Sequence, residues 1–341
     1  MATIREIALK TGLAPGTVSR ILNQDATLHV ASATRKNVIK TVKELGYTKK
    51  VQLGEAHRKY TFGILEWYSP QQEQTDPYYL SIRKGAQEYI KQRGMHAICA
   101  FKTNQDYKNI LKNVDCLLCI GKFTKNEIQE FQEICPTFIV VDMYIQRLEC
   151  NTIVVDMPQA IEEILTYLYE LGHRQIAFLG GKEYLTEHIL YFDQRRSVFT
   201  TFCDAHGLST HDMILEERYD QESGYKMMQK LLGRSLKKRP TAVFAASDSI
   251  AFGAMRAIGE YGLQIPKDLS IVGFNDIDAA RFTAPPLTTI KAPSKQLGEY
   301  AARFLEYLLD SLASSLLPVR IALPCSIQYR QSCAPPYTQN K

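Results

Sequence analysis

No stretch of the chain is apolar for long enough to span a bilayer. The N-terminus runs directly into a capped helix without the apolar core of a signal peptide, which argues against export and for a soluble, cytoplasmic protein. Tryptophan occurs once, at Trp67, and the eight cysteines follow no framework spacing, so a disulfide scaffold is not expected. Cys116 and Cys119 make a C-x-x-C inside the apolar run from Val114 to Ile120. Residues three apart on a strand face opposite sides and do not share a metal. Enzyme signatures are equally scarce. Gly180-Gly181-Lys182 is too short for a phosphate-binding loop, no Gly-x-Ser-x-Gly elbow occurs, and the seven histidines never adopt His-Glu-x-x-His spacing. Asp142 and Asp248 are the one carboxylate pair that can be imagined for glycoside hydrolysis. These absences point to a binding protein without cofactor or metal, of two or three domains at 341 residues.

What is present is concentrated at the start. Residues 1–60 hold eleven Lys and Arg against four Asp and Glu, although the whole chain carries only +5, so the basic head is the place for a polyanion. Thr3 and Glu6 have the spacing of a capping box, Ile4, Ile7 and Ala8 share a helical face, and Gly12 can end that helix at positive φ. Pro15 suits the first position of a second helix, where a missing N–H costs nothing. Val18, Ile21 and Leu22 form its apolar face, and Thr17, Ser19, Arg20 and Asn23 its polar one. A third helix carries Val38, Val42 and Leu45 at i, i+4, i+7. Two short helices at a steep angle, the second polar outside, make a helix-turn-helix. An amphipathic helical hairpin satisfies the same periodicity. A hydrolase would have no use for such a head.

Residues 48–59 are polar and basic and read as a linker. From Tyr60 strands and helices alternate. Strands are expected at 61–65, 96–101, 116–120, 138–141, 152–155, 175–179, 242–246, 270–274 and 319–323, with helices between them, which means parallel sheets covered on both faces. So many strands exceed one comfortable sheet, and two α/β lobes are expected. Ligands bind beyond the carboxyl ends of parallel strands. The residues there include Trp67, Tyr78, Tyr79, Asp142, Arg195, Tyr219, Ser247, Asp248 and Asn275. Aromatic faces with Asp, Asn, Ser and Arg suit the C–H faces and hydroxyls of a sugar. Asp142, Ser247 and Asp248 are also preferred helix caps, and Asp193 is placed to pair with Arg195.

Ala8-x-x-Thr-Gly-Leu13, Thr17-Val-Ser-Arg-Ile-Leu-Asn23 and Thr34-Arg35…Val38…Glu44-Leu-Gly-Tyr47 resemble the headpiece of the lactose/galactose repressor family, and the resemblance continues to about Arg330. Within the family it is similar to galactose repressors and the evolved-β-galactosidase repressor. The resemblance implies an all-α headpiece at 1–48, a hinge at 49–60 and a bilobed periplasmic-binding-protein-like core at 61–334. The first lobe would take about 61–156 and 288–318, and the second about 157–287 and 319–334. It implies a homodimeric repressor on pseudo-palindromic operator DNA, released or retained by a sugar, with no membrane partner. Arg20 would read guanine. Thr17, Ser19 and Asn23 would bond phosphates or base edges, and Thr3, His29 and Tyr47 would hold the backbone. Pro15 and Gly16 stand where family members carry larger base-reading side chains. The family's Asn-x-x-Ala-Arg-x-Leu hinge pattern is missing, and Leu53 is the one leucine available as a minor-groove wedge. By the same resemblance, Trp67, Tyr78, Tyr79, Asp142, Arg195, Tyr219, Ser247 and Asn275 occupy effector-contacting positions, Asn275 where the family often has aspartate. A sugar-binding transport component is the competing reading, opposed by the basic head and the absent export signal. The tail after Arg330, with two prolines and no leucine, offers no heptads for a tetramer.

Overall fold

A computed structural model describes residues 3–22, 28, 30–45, 60–186, 188–311 and 317–337. They fall into two compact units, one N-terminal and one from residue 59 onward.

Among its described residues the N-terminal unit has three helices, Ile4–Thr11, Pro15–Leu22 and Ser32–Glu44. Thr3 caps the first. Its hydroxyl accepts the Glu6 amide at 3.3 Å while the Glu6 carboxylate accepts the Thr3 amide at 2.7 Å, so two orphan helix donors are satisfied reciprocally. Gly12 closes the helix at φ 71°, donating to the Ala8 carbonyl. Pro15 occupies the first position of the second helix. Ile7, Ala8, Val18, Ile21 and Val38 form the core, with Leu13, Leu22, Val42 and Leu45 packed around it.

In the second unit the strands are β1 Thr61–Glu66, β2 His96–Phe101, β3 Cys116–Ile120, β4 Phe138–Val141, β5 Asn151–Asp156, β6 Ile176–Gly181, β7 Tyr184–Thr186, β8 Ile189–Leu190, β9 Ile214–Glu217, β10 Ala242–Ala245, β11 Ser270–Phe274, β12 Thr288–Lys291, β13 Arg320–Pro324 and β14 Ser326–Gln328. One sheet runs β2-β1-β3-β4-β5-β13, parallel throughout. The other runs β9-β6-β10-β11-β12-β14, parallel except for β14. Strands such as β3 and β10 are buried along their whole length, as sheets covered on both faces require. Cys116 and Cys119 belong to hydrophobic clusters on opposite faces of the first sheet, and both are free thiols.

The lobe boundaries expected from the sequence need correction. β12 lies in the second sheet, not the first, and β13 pairs with β5 in the first, not the second. The helix Ser294–Asp310, between them, does return to the first lobe, where it packs on helix Tyr78–Gln92, and β13 follows it there. The chain therefore passes between the lobes three times, near residues 157, 292 and 325. Strand periodicity tells which residues are buried, not which sheet they join. Among the described residues no helix is long and apolar enough to cross a membrane.

Candidate functional site

Both sheets present the carboxyl ends of their strands to one cleft, which encloses about 660 Å³, part of it open to solvent. Tyr78, Tyr79, Asp142, Arg195, Tyr219 and Asn275 line it.

On the first lobe the chain leaving β1 caps a short helix, Pro70–Thr75, with Ser69 and enters the next helix through Asp76, Pro77, Tyr78 and Tyr79. Tyr68, Tyr78 and Tyr79 meet edge to face with centroids 4.6–5.2 Å apart, a favoured aromatic geometry. Tyr78 donates to Asp142 Oδ1 at 2.9 Å, and Lys122 Nζ reaches Asp142 Oδ2 at 2.7 Å. Lys122 also stands 5.8 Å and 5.0 Å from the ring centroids of Tyr79 and Tyr191. Burial works against its charge, but the neighbouring Asp142, Tyr191 and Glu183 outweigh it and hold the ammonium above its ordinary pKa.

On the second lobe Asp193 caps helix Gln194–Ala205 and receives Arg195 Nε at 2.9 and 3.0 Å on its two oxygens. Arg195 Nη1 donates to the Ala246 carbonyl at 2.7 Å, and Nη2 donates to the Tyr219 hydroxyl, which in turn donates to Asp193. Burial pushes the Asp193 carboxyl up, but Arg195 and Tyr219 reverse this and hold it below its usual range. Between β6 and that helix, the antiparallel pair β7–β8 forms a hairpin whose flanking residues Glu183 and Tyr191 line the cleft. The Tyr191 hydroxyl accepts from the Tyr144 amide of the first lobe at 3.1 Å. Lys102 donates to the Leu185 carbonyl at 3.4 Å. The hairpin thus leans from one lobe onto the other.

Asp142 and Asn275 follow β4 and β11 at φ 66° and 106°. Their amides donate at 2.8 Å to Ile153 and Ile290 on the next strand. A left-handed turn at a strand end is easiest for glycine, aspartate or asparagine, and here it aims a polar side chain into the cleft.

Three expected residues are not brought to the cavity wall. Ser247 accepts the Ile250 amide as a helix cap. Asp248, fully buried, accepts Thr289 Oγ1 at 2.6 Å and the Ile277 amide at 2.8 Å, and burial pushes its carboxyl up to about 7. Trp67 packs behind the tyrosines, edge-on to Tyr79 at 5.9 Å. Reading strand ends passed over others. Lys122 stands just after β3 and was findable by the same rule. Asp76, which burial pushes up to about 6, was visible only as the start of a helix, and Glu183, pushed up to about 7 by burial, lies on a hairpin without a sequence signature.

In the N-terminal unit, Pro15, Gly16 and Arg20 are exposed on helix Pro15–Leu22, Thr17 and Ser19 are half-buried beside them, and Thr3 is exposed at the first cap. Asn23, His29, Tyr47 and Leu53, with most of the hinge expected at 49–60, lie outside the described residues.

A helix-turn-helix unit joined in one chain to a bilobed core with a polar, aromatic cleft defines a DNA-binding regulator with a ligand-binding core. Residues 3–50 match the family described as bacterial regulatory proteins, lacI family, and residues 165–333 match the periplasmic binding protein-like domain. The HTH-type transcriptional repressor MelR of Bacillus subtilis (strain 168) is 32% identical over 344 residues, covering 98% of each chain. The HTH-type transcriptional regulator GalR of Streptococcus thermophilus is 31% identical, covering 97% of this chain and 99% of its own. Among solved structures, a transcriptional regulator CelR–cellobiose complex superposes with TM-score 0.69 at 24% identity, covering 97% of this chain and all of the other. The lac repressor dimer bound to operator and the anti-inducer ONPF gives 0.68 at 23%, covering 98% and 99%. The chain belongs to the lacI family of bacterial regulatory proteins. It is a transcriptional regulator, not an enzyme.

Proposed function

We propose that this regulator is a cytoplasmic, homodimeric repressor of carbohydrate-utilisation genes, with a galactose-type sugar in the interlobe cleft as its effector. The observation that carries the sugar reading is the cleft itself. A tyrosine cluster on one wall offers apolar faces, and Asp142, Asn275 and Arg195 converge from both lobes to orient hydroxyls. The named relatives include a regulator solved with cellobiose and one named GalR. A dimer sets two helices Pro15–Leu22 in successive major-groove segments of a pseudo-palindrome, Arg20 forking onto guanine and Thr17 and Ser19 holding phosphates or base edges. Since Pro15 and Gly16 offer no side-chain donor, readout leans on Arg20 and on DNA shape. Sugar binding changes the relation of the lobes, and so operator affinity, only to the extent that it prefers one state.

Selecting binding sites from random duplexes and measuring gel shifts tests the DNA half. The selected site should be pseudo-palindromic, and Arg20→Ala should lose ~1–3 kcal/mol on it while keeping most of its affinity for random DNA. Equal loss on both would reduce Arg20 to a phosphate contact.

A further inference from the structure

The charges in the cleft narrow the effector further. Among the described residues four carboxylates line it, Asp76, Asp142, Glu183 and Asp193, against two cations, Lys122 and Arg195. Both cations are already engaged. Lys122 is held on Asp142 at 2.7 Å, and Arg195 is fixed on both oxygens of Asp193, on the Ala246 carbonyl and on the Tyr219 hydroxyl. Among the described residues, Asp76 takes only the Tyr78 amide at 3.2 Å and Glu183 makes no ion pair, so two acids remain without a cation of their own. They stand on opposite sides, Asp76 at the start of the first lobe's helix and Glu183 at the base of the second lobe's hairpin. Arg320 offers no relief. It does not itself line the cleft: it stacks behind the lining residue Tyr144, 4.0 Å from the ring centroid, donates to the Ile145 carbonyl, and keeps its Nε buried out of reach of solvent.

A phosphate ester needs forked or clustered donors that are not already spent on carboxylates. Above about pH 7, where Asp76 and Glu183 are both ionised, a dianion would have to take a cation from its partner and leave a buried carboxylate bare, or sit beside those two negative charges. Hydroxyls, by contrast, donate to carboxylates and need no countercharge. We propose that the ligand of this cleft is an uncharged, unphosphorylated sugar, and that Asp76 and Glu183 are the residues that exclude its phosphate esters. This rests on the sugar reading above.

Calorimetric titration of the full-length protein with galactose, lactose and allolactose, and with galactose 6-phosphate and lactose 6-phosphate, tests it. At least one neutral sugar should bind, with its 6-phosphate at least tenfold weaker. In the Asp76→Asn/Glu183→Gln double variant the ratio of ester to parent affinity should rise at least tenfold. An ester that binds the wild type as well as or better than its parent sugar would overturn the exclusion while leaving the sugar reading standing. An unchanged ratio in the variant would overturn the roles of Asp76 and Glu183. Failure of every sugar and ester to bind a protein that still holds its selected DNA would overturn the sugar reading itself, and this proposal with it.

Discussion

The two lobes repeat one topology and diverge where they meet the ligand. Counted across the sheets, β2-β1-β3-β4-β5 matches β9-β6-β10-β11-β12, and the sixth strand differs only in direction, β13 parallel and β14 antiparallel. Both lobes turn out of the fourth strand through a residue at positive φ, Asp142 in one and Asn275 in the other, with the same hydrogen bond to the neighbouring strand. Both bring two helices together on glycines. A Cβ on Gly298 would stand 1.8 Å from the Ile82 carbonyl oxygen, and one on Gly253 would stand 1.8 Å from that of Gln221. At the other strand ends they part. After the third strand, the first lobe sends Lys122 into the cleft, whereas the second places Ser247 and Asp248, which hold its own helix and strands. The long helix after β1 opens with Tyr78 and Tyr79, whereas the one after β6 and its hairpin carries Arg195 as its second residue. A duplicated frame thus gives two unlike walls, one built on a tyrosine cluster with the Lys122–Asp142 pair and one on the Arg195–Asp193–Tyr219 network.

The strongest way to break this comparison is to remove each wall's cation. Lys122→Met leaves Asp142 buried with one remaining donor, the Tyr78 hydroxyl, and should cost ~3–5 kcal/mol in a urea melt. Arg195→Met should cost less, since Asp193 keeps both the amide of residue 195 and the Tyr219 hydroxyl. The reverse order would mean that the two ion pairs are not organised as described.

A second difference is the buried Asp248, which has no counterpart facing the cleft. Its carboxyl titrates near 7 in the folded chain against about 4 when unfolded, so the folded state holds the extra proton between those values. Stability should therefore fall as pH rises from about 4 to about 7, by on the order of 4 kcal/mol from this group. Asp248→Asn should flatten that slope in thermal melts. An unchanged profile would remove Asp248 as its source.

The glycine contacts sharpen the likeness between the lobes. Gly298→Ala and Gly253→Ala should each destabilise by ~1–3 kcal/mol, because a backbone carbonyl, not a flexible side-chain end, must give way. Marked inequality between them would show that one helix pair yields more easily than the other.

Much of this was legible in the chain. Thr3, Glu6, Gly12 and Pro15 announce the two helices through capping and backbone chemistry, which is local and so survives in sequence. The fully apolar strands told of sheets covered on both faces; reading one residue past a strand found Asp142 and Asn275, and reading on to the start of a following helix found Tyr78 and Tyr79. What escaped depends on contacts across the fold. Three-residue β14 and four-residue β12 carry too few residues to declare a sheet, so the return of the chain through β13 was assigned to the wrong lobe. Glu183 and Tyr191 reach the cleft from a short hairpin with no period of its own. Ser247 and Asp248 have the composition of ligand contacts and the position of caps, and only their partners decide between the two.

The central claim is that a sugar between the two walls governs DNA binding by the headpiece. Anisotropy of a fluorescent operator duplex, titrated with galactose or a galactoside in the presence of wild-type protein and of Arg195→Ala, tests it most directly. The account predicts that sugar shifts the wild-type operator affinity at least fivefold while Arg195→Ala holds the duplex with wild-type affinity at every sugar concentration. A wild-type affinity that ignores sugars, or an Arg195→Ala protein that responds as the wild type does, would contradict it.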